Sequence, residues 1–540
     1  MKGIRRKRLS AIKRTDPLSR ASRYASDIAG RLTSMQYPAG KTISFAYGYD
    51  SLNRPVTITA PGGTQFQFTY DAAGRRTRMD MSTAVAAEYA YDAANQLTGI
   101  IYRRKTDNAV IASVGYTYDN AGNRATMADD FGSHGFAYDD LHRLTSAVHP
   151  SSGALSVQSE TFAYDAVGNR TSDAVRSGYA YDAANRLNSD SQYTYAYDNN
   201  GNLTAKTRTS DNAQTAYIYD AQNRLTQVNL PSGYSEILRY DATGRRIAKT
   251  ITHNGETIRE QHYIYDGEDI AFVTGADGAL KSLYTHGPGT DEPLMLRKGA
   301  SDYYLLADGL GSIIAIADQS GNIAERAQYQ AYGRPVFRNE VTGSTSSWSQ
   351  TGSLYSYTAR EWDAETGLFY YRARYYAPDT GRFIQKDPIG FNGGDTNLYA
   401  YARNNPYNLK DSYGLFSVTI EGYLGMGGGI TFGVNPNGKG FIIGKVGVGL
   451  GGGLLINPKG RSPDSDDCIS RRVGLGIFGQ ADAGLGFLSL GGTLKRGVYF
   501  RPFAYPKFKE YSEPFSFEPG ISDSFKINAG VAVGGEVILE

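Results

Sequence analysis

Two aspartates near residue 400 stand where chemistry is conceivable. Asp387 precedes Pro388 and Gly390, and Asp411 precedes Ser412 and Gly414. In each case a carboxylate opens a tight turn that contains glycine, which is common turn chemistry. The plainest reading is that each aspartate caps its own turn. Carboxylates act as an acid–base couple when a fold holds two of them in contact, because neighbouring like charges cannot both ionise and one keeps a proton. Asp387 and Asp411 are 24 positions apart, so they meet only if the fold brings them together.

Other site chemistries find little support. The six histidines are His134, His142, His149, His253, His262 and His286, and none pairs with cysteine or another histidine at metal-ligand spacing. No metal site and no cofactor are expected. The lone Cys468 excludes an internal disulfide framework. Asp308-Gly-Leu-Gly-Ser312 looks like a phosphate loop but lacks the Lys-Ser/Thr ending and a following helix. It reads as a tight turn between strands over Tyr303–Ala307 and Ile313–Asp318. A net charge of +2 gives no global field for polyanions, so nucleic acid is not an expected partner. No run of about 18 apolar residues marks a membrane helix.

The elements that must position the two acids form a repeat array. YDSLNRP (49–55), YDAAGRR (70–76), YDAANQL (91–97), YDNAGNR (118–124), YDDLHRL (138–144) and YDAVGNR (164–170) are followed by YDAANRL (181–187), YDNNGNL (197–203), YDAQNRL (219–225) and YDATGRR (240–246). SDIAGRL (26–32) precedes them and a worn YDGEDI (265–270) closes the run. Such self-similarity at a short period signals repeat architecture. Many units open with period-2 alternation, as in Phe66-Gln67-Phe68-Thr69-Tyr70, the pattern of a half-buried strand. The aspartate then starts a turn, and four places after the tyrosine comes nearly always Gly or Asn, where positive φ costs least. The unit is a β-hairpin too small to stand alone, so neighbours must pair into one continuous sheet.

The array and the stretch after it closely resemble the RHS/YD-repeat family, whose members include polymorphic toxins and the C subunits of insecticidal toxin complexes. The resemblance rests on the YD units and on RARYYAPDTGRF (Arg372–Phe383), KDPIGFNGG (Lys386–Gly394) and NLYAYARNNPYNLKDSYGL (Asn397–Leu415). It covers roughly residues 20–415. It implies an all-β fold, a spiralling antiparallel β-hairpin shell, and a built-in aspartyl autoprotease acting once. Carried over position by position, Asp387 and Asp411 are the catalytic pair, Arg374 a supporting cation, and Leu415–Phe416 the bond cut. Two positions depart from the family pattern: Ser412 stands where proline is usual, and Ala377 where aspartate is usual. Serine removes a φ constraint but leaves the Asp411 carboxylate in place. The expected organisation is a basic, disordered N-terminus (1–20), a YD-repeat shell (21–299), a core-associated segment with the autoprotease motif (300–415), and a variable Gly-rich β domain (416–540).

Beyond Leu415 the composition changes, with 27 of the chain's 64 glycines in the last 125 residues. Segments such as Lys445-Val-Gly-Val-Gly-Leu-Gly451 alternate an apolar side chain with glycine, giving strands with one greasy and one bare face. NPNGKG (Asn435–Gly440) signals a hairpin. The alternation suits both a bilayer-inserted closed barrel, with the membrane as partner, and a soluble β-sandwich. The tail holds no histidine and no Ser-His or Cys-His set. Under the resemblance it is the cargo and candidate effector, which implies an immunity protein and a secretion apparatus as partners. It also implies a secreted or surface location, by a route the sequence does not display. Two other readings stay open: a surface adhesive or carbohydrate-binding scaffold without enzymatic activity, and a truncated remnant of a larger RHS protein.

Overall fold

A computed structural model of the chain describes residues 11–15, 21–27, 31–37, 43–151 and 157–415, with short tail strands at 419–420, 428–434, 440–446, 454–455 and 537–539. The described architecture is a spiral of antiparallel hairpins. A 15-stranded sheet runs from Ala11–Thr15 to Arg170–Asp173, and a 17-stranded sheet from Ala180–Tyr181 to Thr345–Ser346. In both, spatial order follows chain order. A four-stranded sheet over 361–383 follows. The first strand lies inside the stretch expected to be a loose terminus. The second sheet passes residue 300 without a break. The polar stretch around 339–351, read as a loop, contributes the short edge strand Thr345–Ser346. The strands around the Asp308 turn pair as expected, and Gly428–Val434 pairs with Gly440–Val446.

The repeat is built from one turn. At Asp50, Oδ1 accepts from the backbone N–H groups of Leu52 and Arg54 at 2.9 Å each, and Oδ2 accepts from Arg54 Nε at 2.7 Å. The same set recurs at Asp139–Arg143, Asp220–Arg224 and Asp241–Arg245. Asn replaces Arg at Asp119–Asn123, Asp165–Asn169 and Asp198–Asn202. The turn's fourth position has positive φ in Asn53 (62°) and Gly168 (79°), and even in His142 (60°).

Tyrosine and arginine couple each unit to the next. Tyr70 Oη donates to the Pro55 carbonyl at 2.6 Å, and Tyr164 and Tyr219 repeat the bond to Leu144 and Leu203. Burial pushes the Tyr91 hydroxyl up to about 12, which keeps it a neutral donor to the Arg76 carbonyl. Arg54 lies 4.7 Å from the Tyr70 ring centre and Arg224 5.0 Å from that of Tyr240, an attractive cation–π arrangement. Between the two large sheets the same rung persists: Tyr181 Oη donates to the Arg170 carbonyl at 2.7 Å.

The first sheet's inner face, including Phe45, Phe66 and Tyr102, packs on Phe272, Met295 and Leu306 of the second. The opposite face of that second sheet meets the 354–384 segment through Tyr263, Tyr284 and Leu238. Strands covered on both faces are continuously apolar, as in Ile270–Val273, whereas one-sided repeat strands alternate. A buried charge cluster pins the segment: Arg246 pairs with Glu361 at 2.6 Å and with Asp363, Lys249 holds Asp363 at 2.6 Å, and Arg246 lies 4.6 Å from the Tyr370 ring centre.

Removing Arg246 leaves two buried carboxylates short of their cation, so Arg246→Met is expected to cost about 3–5 kcal/mol in urea unfolding. Arg259→Met, which breaks the exposed pair with Glu365, is expected to cost no more than about 1 kcal/mol. Equal losses from the two variants would contradict this account of what pins the segment.

Candidate active site

The strands Leu368–Tyr371 and Arg374–Ala377 form a hairpin in which Tyr371 faces Arg374 across a two-residue turn, Arg372-Ala373. Both strands are buried, and Phe369, Tyr371 and Tyr376 pack with Phe383 and Tyr401 into one cluster. Packing against Phe383 holds the Arg374 guanidinium, whose carbon lies 3.6 Å from that ring's centre. From this position Nη2 reaches Asp387 Oδ2 at 3.1 Å and Asp411 Oδ2 at 3.4 Å. The three residues named from sequence therefore meet on one nitrogen atom, and all three are at most 5% exposed.

Each aspartate arrives on a turn. Asp387 follows the short strand Arg382–Phe383, its N–H donates to the Leu398 carbonyl at 3.0 Å, and its Oδ1 accepts from Ile389 N–H at 2.9 Å. Asp411 uses the repeat's own turn geometry: Oδ1 accepts from Tyr413 and Leu415 N–H, two and four residues on, at 3.3 and 3.1 Å. The difference lies in Oδ2. Repeat aspartates give that oxygen to an arginine or asparagine four places later, but here the place is Leu415, so the oxygen is left for Arg374.

Gly414 adopts φ 63°, and a Cβ there would stand 2.4 Å from the Tyr371 carbonyl oxygen. The turn can pass this close to the hairpin only without a side chain. Arg374 also donates to the Gly414 carbonyl through Nε and to Leu398 O at 3.0 Å. Leu415 is buried, and Phe416 lies outside the described residues.

Two buried carboxylates share one guanidinium, so the charges do not cancel. Burial, helped by the negative charge of Asp387 and opposed by Arg374, pushes the Asp411 carboxyl up to about 6. Burial also pushes Arg374 down against the pull of both aspartates. A third acid, Asp395, is raised by burial and faces Arg403, Arg374 and Asp387. It was not singled out from sequence, where it reads as one more turn aspartate after Gly393-Gly394. Of the two departures, Ser412 is buried with its carbonyl bonded to Arg372, and the Ala377 carbonyl accepts from Gly381 N–H at 2.9 Å. Neither disturbs the convergence on Arg374. Among the described residues no cluster of three or more His, Cys, Asp or Glu side chains could hold a metal ion.

The raised Asp411 value carries a sign. The unfolded carboxyl releases its proton near pH 4 while the folded one keeps it to about 6. This group's contribution is therefore full below about pH 4 and is lost as pH rises to about 6. We expect stability to fall across that window by up to about 3 kcal/mol from this group. Asp411→Asn should flatten that part of a pH series of urea midpoints. An unchanged slope would show that Asp411 titrates normally.

Comparison with known proteins agrees with the architecture. The teneurin YD-shell model matches residues 132–409 and the RHS repeat model residues 49–83. A double-stranded DNA deaminase toxin A of Burkholderia cenocepacia is 28% identical over 56% of this chain and 22% of its own length. The tRNA nuclease WapA of Bacillus subtilis is 28% identical over 59% of this chain and 11% of its own. The chain thus spans about a fifth of these relatives or less. The crystal structure of a TcdB2-TccC3-Cdc42 assembly matches with a TM-score of 0.60 at 23% identity, over 73% of this chain and 22% of that one, a likeness of fold. With a model match over half its length, a tyrosine–aspartate hairpin spiral and relatives that are toxins, the chain belongs to the teneurin YD-shell family of RHS-repeat proteins.

Proposed function

We propose that this chain is a shell protein that cuts itself once, between Leu415 and Phe416, and so frees residues 416–540 as an effector. The observation that carries the reading is the convergence of the Asp387 and Asp411 Oδ2 atoms on Arg374 Nη2, beside a turn that holds Leu415 N–H. In this reading Asp411 is the protonated partner and polarises the Leu415 carbonyl. Ionised Asp387 takes a proton from the attacking water, and the tetrahedral adduct collapses as the Phe416 nitrogen leaves with a proton. Arg374 keeps one carboxylate ionised in a site where burial would otherwise neutralise both.

The cut sets one boundary, at 415, with the shell and the core-associated segment before it and the cargo beyond. Relatives named as a DNA deaminase toxin and tRNA nucleases support a cargo that acts on a competitor or host, delivered outside the producing cell. An immunity protein and a secretion apparatus complete the proposal as partners. The target of the tail is open to both a membrane and a soluble substrate.

On a denaturing gel the purified chain should resolve into two fragments. Asp387→Asn and Asp411→Asn should each slow their appearance by at least about a hundredfold. The rate should fall about tenfold per pH unit above about 6, as Asp411 loses its proton. Full-length chain in every preparation, with both variants indistinguishable from the parent, rules the reading out. Residues 416–540 expressed alone should arrest bacterial growth or release dye from vesicles. An inert tail would favour the adhesive or carbohydrate-binding scaffold.

A further inference from the structure

The turn before the expected cut is held more completely than a turn needs. Three successive carbonyls are taken by three successive residues of the 371–374 hairpin. Ser412 O accepts from Arg372 Nη1, Tyr413 O from Ala373 N–H at 3.1 Å, and Gly414 O from Arg374 Nε. The next backbone N–H, that of Leu415, is held by Asp411. The run from 412 to 414 thus lies in a one-to-one register with 372–374, and every bond in it is to main chain on the substrate side.

Arg372 combines this grip with a buried ion pair to Asp291 and a longer contact to Asp269 at 3.5 Å. It is the first residue of a two-residue hairpin turn with φ 56°, where glycine is the usual occupant. A non-glycine residue kept in that region points to a function that outweighs the strain. Its guanidinium is fixed from behind by Asp291 Oδ1 at 2.8 Å, a buried carboxylate that also binds Arg360 at 2.8 Å, and it lies 4.9 Å from the Tyr413 ring centre. Arg372, Arg374, Ser412 and Gly414 are buried, while Ala373 and Tyr413 are partly exposed.

We propose that Arg372 is a positioning residue which, with Ala373 N–H and Arg374, selects the bond to be cut by counting along the backbone from Asp411 and not by reading side chains at the junction. The inference rests on the self-cutting role proposed above and deepens it. The site's substrate class becomes the shell's own main chain, four residues past Asp411, joined to a cargo of any sequence. A clamp of this kind presents a single peptide bond to the carboxylates.

Inserting one alanine between Gly414 and Leu415 of the full chain separates the alternatives by intact-mass spectrometry. Counting from Asp411 places the cut after the inserted alanine, so the released fragment gains a leucine at its start. A cut that stays after Leu415 overturns the proposal, as does an uncut insertion variant whose thermal melt matches the parent. Arg372→Gln should slow cutting by about tenfold and add a product displaced by one residue, with the pH midpoint unmoved. Arg372→Lys should restore the single product. One product at the parental rate from Arg372→Gln also sinks the idea. Failure of the unaltered chain to cut at all would instead reject the self-cutting role on which the clamp depends.

Discussion

One guanidinium serving two dehydrated carboxylates is the constraint on which the rest of this structure turns. Arg374 lies within 3.4 Å of both aspartates. Such a set is expensive to build, because burying charge without a full complement of opposite charge carries a desolvation penalty. The shell offsets it with rigid surroundings. Aromatic rings of Phe369, Tyr371, Tyr376, Phe383 and Tyr401 pack around the hairpin, and the Arg246 cluster pins the preceding strand to the second sheet. Burial and the neighbouring Asp387 charge push the Asp411 carboxyl up to about 6, against the pull of Arg374.

The site and the shell share a local design. The common YD unit uses an aspartate that caps two backbone N–H groups and then binds an arginine or asparagine four places on, while a tyrosine reaches the neighbouring unit. At Asp411 the cap is unchanged and only the cation's source differs. Replacing arginine by leucine four places on frees one carboxylate oxygen, and the hairpin at 371–374 supplies a distant arginine in its stead. A structural turn becomes a candidate chemical group through a change of partner, with little change of backbone.

The second sheet is covered on both of its faces. Its 264–317 stretch is packed on the first sheet through one face and on the start of the 354–384 segment through the other. The acids are at most 5% exposed, and low local dielectric there strengthens each remaining hydrogen bond and raises the cost of each unpaired charge.

Much of this was legible along the chain. Period-2 alternation and the Asp-x-x-Gly/Asn spacing specify hairpins because they act over a few residues, and the structure places strands and positive φ where those patterns lie. Local patterns also identified both acidic turns. Resemblance to a known family named Arg374, Asp387 and Asp411, and the fold places them together. What local patterns could not express was decided at long range. That the sheet begins at Ala11 and continues past residue 300, that Arg372 occupies a glycine-like turn to grip Ser412, and that Asp395 joins the same field all depend on partners tens to hundreds of residues away. A sequence determines its turns because their hydrogen bonds close within four residues. It leaves shared charges and buried protons to the tertiary structure, because those exist only once distant groups have been dehydrated against one another.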